Sequence, residues 1–343
     1  MYSETATTTI PDHFKNHLGI FNCPICNGEI DISNGIIACA SCSHEFEIKD
    51  GLPLMFVPNE WKKTKKDVTL DMKGFYEKSP FPNYDDIDDA GTLIKKSHEG
   101  VFAKMLNDQI PFNIRVLEVG TGTGQLSNFL GIAQRHVFGA DMTINSLMLA
   151  NQFKEKNNLI RTGFYQMNLF KPIFKEKRFP VVICIGVLHH TSDPFGGFES
   201  IARLVANNGY IIIGLYHTYG RLITDTRRMI FKLTGNHFKW LDPNLKNLEV
   251  NHNKKMSWFN DQYKNPHESK HTIGEVLKWF KKTGFEFVYG IPNPVFSQQF
   301  SGNDLMFRKH SSGTLVDRFL VQLKMIFTGS QQGGFFIMIG KKK

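Results

Sequence analysis

From residue 114 to residue 216, short apolar runs rich in β-branched residues alternate with segments of helical periodicity. Apolar runs of this length, bounded by turn residues, are typical of strands that are buried on both faces. We predict strands, with helices between them, at residues 114–119, 136–141, 163–167, 181–186 and 210–215. Because strands that alternate with helices form parallel sheets covered on both faces, the pattern predicts a doubly wound α/β fold.

Further elements are predicted on either side of this region. Residues 92–109 have the spacing of a single amphipathic helix. Thr272 and Glu275 form a capping box, which begins a helix that ends near Gly284. The remaining predicted elements are a strand at 285–290, a helix near 314–327 and a last strand in the segment GGFFIMIG.

Composition narrows the class of protein. The chain has 343 residues, of which 41% are hydrophobic and 21% are charged, as in ordinary globular proteins. Its first twenty residues lack a basic segment followed by an apolar one, and no later apolar run approaches the roughly 18 residues of a membrane span. We therefore expect a cytosolic protein. The net charge of +9 leaves a nucleic acid such as RNA or an anionic lipid open as a partner, although Lys is scattered among Asn and Ile, as biased base composition alone would produce.

Four of the five cysteines lie close together as C-x2-C-x12-C-x2-C, and the fifth, Cys184, stands alone in an apolar run. In a chain without a signal peptide, this spacing favours metal binding over disulfides. Four thiolates make a closed tetrahedral zinc site, which is structural; His44 is an alternative ligand, but an all-cysteine site is simpler. The predicted zinc ligands are Cys23, Cys26, Cys39 and Cys42.

These patterns divide the chain into parts. We predict a zinc ribbon at residues 20–57, which either stabilises the fold or docks a partner, and a linker at 58–90. Aromatic residues alternate with prolines in the linker, so Tyr76 and Tyr84 either form a lid or pack the linker onto the next domain. That domain covers residues 91–343 and contains an insertion at 216–271, which is rich in Lys, Arg, Asn and aromatic residues.

A glycine-rich loop follows the first predicted strand of this domain. Gly120, Gly122 and Gly124 allow a tight turn and a close approach to a ligand, and the following helix start offers N–H donors. Dinucleotide-binding proteins have glycine where this chain has Gln125, so that class fits less well. Asp141 ends the next strand, where a carboxylate can accept hydrogen bonds from both hydroxyls of a ribose.

With Glu118 two residues before the first glycine, the chain resembles the class I S-adenosylmethionine-dependent methyltransferases, whose first motif is E/D-x-G-x-G-x-G. The segment VICIGVLHHTSDP at residues 182–194, the turn ANNGYI at 206–211 and the last strand also resemble that family. The resemblance implies a seven-stranded, mostly parallel Rossmann-like sheet with an antiparallel last strand. It also implies a cofactor site formed by Glu118, Gly120, Thr121, Gly122, Gly124, Gln125, Asp141, Met142, Asn168, Leu169 and Gly186.

One position departs from the family pattern. The family often has an acid beside the adenine after the third strand, where this chain has Asn168. We expect the amide of Asn168 to pair with the adenine edge instead. Another class of nucleotide-binding doubly wound enzyme remains the alternative to the methyltransferase interpretation.

Methyl transfer from a sulfonium requires alignment and exclusion of water, and it needs a base only if the acceptor loses a proton. His189 and His190, after the fourth strand, and Tyr216, after the fifth, are the candidate catalytic residues, and one of the two histidines is expected to serve the core instead. Metal-dependent methyltransferases of quinones and phenols place two Glu and a His at this strand end, so we expect no catalytic metal. The HESKH segment at 267–271 spells the zinc-peptidase signature but precedes the helix start at Thr272, so we interpret it as a loop.

Three functions follow from these patterns. The first is methyl transfer from S-adenosylmethionine to a small or lipid-like acceptor, since the aromatic insertion and linker can enclose an apolar pocket. The second is methylation of RNA, which the basic charge favours and which the resemblance keeps open, because zinc ribbons precede the catalytic domain in some enzymes that modify ribosomal RNA. The third is a non-catalytic scaffold protein that binds the cofactor. The sequence predicts no oligomeric state.

Overall fold

The computed structural model describes residues 9–61, 67–82, 84, 87, 89–246, 252–328 and 334–343. The charged part of the predicted linker, residues 62–66, lies outside them. Among the described residues, no helix is both long enough and apolar enough to cross a membrane.

The N-terminal part is a small module of short strands. A helix and a 3-10 turn precede a three-stranded antiparallel sheet and a separate two-stranded hairpin. Asn34 and Gly35, both with positive φ, make the tight turn between the first two strands, as an Asn-Gly pair favours. The elements are α1 (Asp12–Asn16), the 3-10 turn (Leu18–Ile20), β1 (Ile30–Ser33), β2 (Ile36–Cys39), β3 (Glu45–Phe46), β4 (Ile48–Lys49) and β5 (Leu52–Pro53).

This module shares its hydrophobic core with the large sheet. The ring of Phe21 lies 5.1 Å from the rings of both Tyr165 and Phe174, centroid to centroid. His13, in α1, forms a 2.7 Å hydrogen bond with the Tyr165 hydroxyl. Helix α1 thus precedes the predicted start of the module at residue 20 and packs in the same core. The module is therefore a layer of the large domain and not a separate globular unit.

Three helices follow the module along the chain, before the first strand of the large sheet: α2 (Thr69–Lys78), α3 (Ala90–Glu99) and α4 (Val101–Gln109). The prediction of one helix at 92–109 is wrong, because the chain bends at Gly100, whose ψ of 106° is extended. A glycine in a helix interior costs about 1 kcal/mol relative to alanine, so the amphipathic pattern runs through a break that the backbone favours.

The large sheet has seven strands in the order β11-β12-β10-β9-β6-β7-β8. Strands β6 to β10 are parallel, and β12 is antiparallel to both of its neighbours, β10 and β11. The predicted doubly wound, mostly parallel Rossmann-like fold is confirmed. Its elements are β6 (Arg115–Val119), α5 (Gln125–Ile132), β7 (His136–Asp141), α6 (Ile144–Lys156), β8 (Thr162–Gln166), β9 (Phe179–Ile185), α7 (Pro194–Ala202), β10 (Val205–Tyr216), α8 (Leu222–Leu233), α9 (Pro243–Lys246), α10 (His252–Phe259), α11 (Ile273–Lys282), β11 (Phe285–Ile291), α12 (Leu315–Thr328) and β12 (Phe335–Lys342).

Successive side chains of each strand point to opposite faces of the sheet, and each face has its own hydrophobic core. Leu117 and Val119 of β6 face the core shared with the N-terminal module, whereas Val116 faces the core under α3 to α5. Burial of both faces explains why each central strand is a continuous apolar run. A functional site can therefore be formed only by the polar residues at the strand ends and by the covering helices.

The insertion after β10 is helical. Phe231 of α8 packs against Phe259 of α10 and against Tyr263 in the π-helical turn Asn260–Lys264. Helix α11 begins as predicted, since the Thr272 hydroxyl accepts a hydrogen bond from the Glu275 amide. This small core fixes the insertion beside the carboxyl ends of β9 and β10.

Candidate active site at the carboxyl edge of the sheet

A cavity of about 1090 Å³ opens at the carboxyl ends of the parallel strands. Strand order reverses between β6 and β9, which is where doubly wound proteins bind their ligands. The loops after β6, β7, β8 and β9 form its floor, and residues of α2, α3, α4 and the insertion cover it. The cavity is thus a pocket built between the sheet and two flanking segments.

The glycine loop after β6 adopts conformations that favour glycine. Gly120 and Gly122 have φ of 74° and 53°. A Cβ atom at Gly120 would overlap the Val187 side chain, and one at Gly122 would overlap the carbonyl oxygen of Phe81. The loop is therefore closely covered on both sides, and its backbone faces the cavity.

Glu118 supports this loop from beneath. Its carboxylate is buried and accepts hydrogen bonds from the hydroxyls of Thr121, at 2.8 Å, and Ser127, at 2.5 Å. Burial raises the pKa of Glu118 to about 7, although these hydrogen bonds oppose the rise. The side chain links the end of β6 to the start of α5 and so fixes the shape of the loop.

Asp141 joins the loop to the end of β7. Oδ2 accepts a 2.9 Å hydrogen bond from the Gly122 amide, and Oδ1 accepts bonds of 2.9 Å and 2.7 Å from the amide and hydroxyl of Thr143. Burial raises the pKa of Asp141, and the hydrogen bonds oppose that rise. Three of its roughly four acceptor sites are used, so the carboxylate lines the cavity with capacity left for one further donor, at Oδ2.

Asn168 is placed in the cavity wall, but its amide is already engaged. Nδ2 donates to the Val57 carbonyl and to Asn59 Oδ1, both at 2.8 Å, and Oδ1 accepts from the Phe170 amide at 3.1 Å. Both amide protons are used, so contact with an adenine would rely on the remaining lone pair of Oδ1. The proposed pairing of Asn168 with adenine stays a prediction, and the structure adds a second role in tying residues 57–59 to the sheet.

The cavity wall includes all but one of the predicted cofactor residues. Gly124 is the exception, because it lies behind the loop against Ala150 and Phe164. The predicted residues in the wall are Glu118, Gly120, Thr121, Gly122, Gln125, Asp141, Met142, Asn168, Leu169 and Gly186.

Of the two candidate histidines, His190 lines the cavity. Its Nδ1–H donates to the His267 carbonyl oxygen at 2.8 Å, which leaves the lone pair on Nε2. No protein partner of Nε2 is seen in the described part of the chain. Burial lowers the pKa of His190 below its ordinary 6.5, while Asp261, the bond to His267 and Glu268 oppose this shift.

His189 is buried beside the cavity and does not line it. Its ring packs 4.0 Å from that of Tyr216, and neither of its ring nitrogens has a hydrogen-bond partner among the described residues. Burial holds the pKa of His189 well below its ordinary value. His189 therefore serves as a neutral packing residue under Tyr216.

A polar cluster from the insertion faces His190 and escaped sequence analysis. Asp261, in the π-helical turn, accepts hydrogen bonds from Tyr76 at 2.8 Å, from Gln262 at 2.9 Å and from Tyr216 at 3.5 Å. Burial raises the pKa of Tyr76 and of Tyr216, so both phenols stay protonated as donors. Asp261, Tyr76 and Tyr216 all line the cavity. π-helical turns recur at functional sites, but they have no sequence motif, so the sequence gives little indication of this cluster.

Tyr76 joins the two covering segments, whereas Tyr84 packs on α6 and accepts a 2.9 Å hydrogen bond from the side-chain amide of Asn128. Asn265 of the insertion donates to the Tyr76 hydroxyl at 2.9 Å, in addition to the Tyr76–Asp261 bond. Tyr84 stacks on Phe153 with ring centroids 4.6 Å apart. The linker helix α2 and the insertion therefore meet across the cavity.

The peptidase-like segment lies in a loop, as predicted. Glu268 is buried and pairs with Arg221 at 2.5 Å and Arg228 at 2.8 Å, which lower its pKa against the opposing effect of burial. His267 bonds to the Thr191 carbonyl, and His271 bonds to Glu275. These side chains have separate structural partners and do not converge on a metal position.

The four clustered cysteines converge on one point of the N-terminal module. Zn–S bonds of about 2.3 Å in a tetrahedron require sulfur–sulfur distances of about 3.8 Å. The Sγ atoms of Cys23 and Cys42 are 3.8 Å apart, those of Cys26 and Cys39 are 3.5 Å apart, and all four lie within 4.8 Å of one another. Backbone amides, including that of Gly28, donate to the sulfurs as they do to thiolates. This donor set fits a structural zinc ion.

Comparison with known proteins agrees with this geometry. A family model described as a methyltransferase domain matches residues 112–284. An uncharacterized protein of Synechococcus sp. is 25% identical over 198 residues, which are 51% of this chain and 48% of that protein. The ubiquinone biosynthesis O-methyltransferase of Haemophilus ducreyi is 31% identical over 106 residues, which are 30% of this chain and 45% of that enzyme. The chain thus spans about half the length of these curated relatives.

Solved structures with a similar arrangement of elements have low sequence identity to this chain. The structure of PKMT2 from Rickettsia typhi in complex with AdoHcy is 14% identical, with a TM-score of 0.49. The alignment covers 69% of this chain and 51% of that one.

Proposed function

This chain belongs to the methyltransferase-domain family, and from that premise we propose that it transfers the methyl group of S-adenosylmethionine to the hydroxyl of a small, largely apolar acceptor. The observation that carries the proposal is one cavity lined by the glycine loop, by the carboxylate of Asp141 and by the imidazole of His190. A volume of about 1090 Å³ is at the upper end for small-molecule sites, as two bound molecules require.

Residues at the carboxyl ends of β6 and β7 fit S-adenosylmethionine. Asp141 has acceptor capacity at Oδ2 for one ribose hydroxyl, and the backbone of the glycine loop faces the part of the cavity that would take the amino-acid portion. The bound cofactor supplies an electrophilic methyl group. Gln125, Met142 and Leu169 complete the wall of this part of the cavity.

The acceptor side combines apolar walls with the imidazole of His190. Phe102, Ile291, Phe300, Phe335 and Ile337 contribute apolar surface to the cavity. A flat or chain-like apolar molecule fits this surface, whereas an RNA strand would have to displace the covering segments. The name of the Haemophilus relative, an O-methyltransferase of ubiquinone biosynthesis, also favours an oxygen acceptor.

His190 is the proposed general base. Its lowered pKa keeps the ring neutral at pH 7, and the bond from Nδ1–H to His267 leaves Nε2 ready to accept a proton. As the acceptor oxygen gains the methyl group, its proton passes to Nε2. The nearby charge of Asp261 stabilises the resulting imidazolium.

We also propose that Cys23, Cys26, Cys39 and Cys42 hold one zinc ion whose role is structural. A closed set of four thiolates leaves no coordination position for a substrate or a water molecule.

Labelling of an extract tests the proposed reaction. Purified protein is incubated with methyl-labelled S-adenosylmethionine and a fractionated extract of the source organism. We expect label in small molecules that partition into organic solvent. Label in RNA or protein would refute the proposed acceptor class, and tight cofactor binding without any transfer would refute catalysis.

The change His190→Gln is expected to lower the rate of transfer to the labelled acceptor by about 100-fold, the usual contribution of a general base. Cofactor affinity, measured by calorimetry, should change little, because His190 has no bond to the glycine loop or to Asp141 in the described structure. Wild-type activity should hold as pH falls to 6.5 and decline only at lower pH, because the base must be unprotonated and its pKa lies below 6.5.

His237→Gln is the matched control, because His237 is exposed on the same insertion. A His190 variant with full activity, or one with the unchanged pH profile of the wild type, would contradict the role of this side chain as the base.

A further inference from the structure

Helix α8 exposes an apolar stripe on the outside of the insertion. Leu222, Met229 and Leu233 lie on one side of the helix, with the exposed Thr226 between the first two, and 58% of Met229 and 78% of Leu233 are accessible to solvent. Phe238 and Trp240, just beyond the helix, continue the exposed surface, and 59% of Trp240 is accessible. We name these five apolar residues the outer face.

The opposite side of the same segment belongs to the cover of the cavity. Phe231 of α8 is buried against Phe259 and Tyr263. The neighbouring residues Trp258 and Asp261 line the cavity. One layer of helices therefore separates the outer face from the candidate active site.

Basic residues outnumber acidic ones in the segment that carries the outer face. Residues 222–246 contain five Lys or Arg and two Asp. Both acids are engaged within the protein: Asp225 pairs with Lys270, and Asp242 accepts hydrogen bonds from Tyr263 and Trp258. Two of the cations are exposed at the rim, Lys232 and Lys246. The face thus combines exposed apolar groups with a local excess of positive charge.

Helix α12 offers an instructive contrast. It also exposes apolar residues, among them Val316, Phe319 and Phe327. Its Arg318, however, donates to the carbonyls of Ser312 and Gly313, and its N-terminal end carries an acid. Helix α12 carries two basic residues, Arg318 and Lys324, and one acid, so its excess of positive charge is smaller than that of the segment with the outer face.

We propose that the outer face docks onto an anionic lipid bilayer. A helix with an apolar stripe, flanking aromatic residues and Lys at the rim lies in the interface of a membrane with its apolar side among the acyl chains. Each Lys near an anionic surface contributes about 1 kcal/mol, and this attraction weakens with salt. Docking in this orientation places the cover of the cavity against the membrane, where a lipid-like acceptor is most concentrated.

Cosedimentation of the full chain with vesicles tests the docking without any need for turnover. We expect binding to vesicles that contain phosphatidylglycerol, weaker binding to pure phosphatidylcholine, and loss of binding at high salt. Leu233→Glu should lower the partition coefficient at least about tenfold, because it places a charge in the apolar stripe. Lys232→Gln should lower it only on the anionic vesicles.

Ile160→Glu is the matched control, since Ile160 is 81% accessible but lies in the turn before β8, away from the insertion. Calorimetry with S-adenosylmethionine on every variant separates a folding defect, which abolishes both kinds of binding, from a docking defect, which leaves cofactor affinity unchanged. The proposal is overturned by absence of vesicle binding in the wild type, by equal loss in the Ile160 variant, or by a wild-type dimer that Leu233→Glu dissociates, which would assign the face to a second copy of the chain.

Discussion

Replacement of Asp141 by alanine is expected to weaken binding of S-adenosylmethionine by about 100-fold. One ribose hydroxyl would lose a hydrogen bond to a charged acceptor, worth about 1.5–3 kcal/mol, and 1.4 kcal/mol corresponds to a factor of ten. The Gly122 amide and the Thr143 hydroxyl would also lose their acceptor, so the glycine loop would lose one of its anchors. Calorimetric titration of the purified variant measures the effect.

The control for this change is Asp108→Ala. Asp108 is half exposed and pairs only with Lys104 on α4 in the described structure, so the substitution removes the same charge without touching the cavity. Thermal unfolding of both variants identifies any loss of folding. Unchanged cofactor affinity in a folded Asp141 variant would refute the assignment of the ribose to this carboxylate.

Removal of zinc should have the largest effect on stability. Zinc binding contributes on the order of 10 kcal/mol in isolated small modules, and that free energy is folding free energy. Because Phe14 and Phe21 pack in the core of the large sheet, unfolding of the module would expose that core as well. We expect chelation to lower Tm by at least about 10 °C, as measured by circular dichroism.

Metal analysis distinguishes a loss of zinc from a loss of packing in the hydrophobic core. Cys39→Ser should lose zinc, whereas Cys184→Ala should keep about one zinc per chain, because Cys184 is buried in β9 apart from the cluster. If the wild-type protein is purified without metal and chelators leave its Tm unchanged, the four thiols hold no zinc, and the prediction is wrong.

The central sheet could be predicted because its strands obey a local rule. Strands such as 136–141 are apolar on both faces, so their boundaries can be found without knowledge of the partners. The end of each strand then determined which polar residues meet, and Asp141 lies beside the glycine loop for that reason. The four-cysteine spacing was equally local, since two short knuckles bring the ligands together.

Other features depend on contacts between distant segments. Asp261 comes to His190 only because the insertion folds back through the packing of Phe231 on Tyr263, which no periodicity reveals. Asn168 had the position expected of an adenine contact, but its donors are taken by residues 57–59 from a different part of the chain. The break at Gly100 was missed because the apolar spacing continues across it.

The attachment of the N-terminal module has a consequence for solubility. Strand β8 is at the edge of the large sheet, yet all its residues are buried, because α1 and the segment after β5 cover it. The Met55 amide donates to the Gln166 carbonyl at 3.2 Å, and Leu54 bridges the same residue. An uncovered edge strand is a template for pairing with other chains. If the four thiolates hold zinc as we propose, loss of the metal should uncover this edge, and we expect the metal-free protein to self-associate.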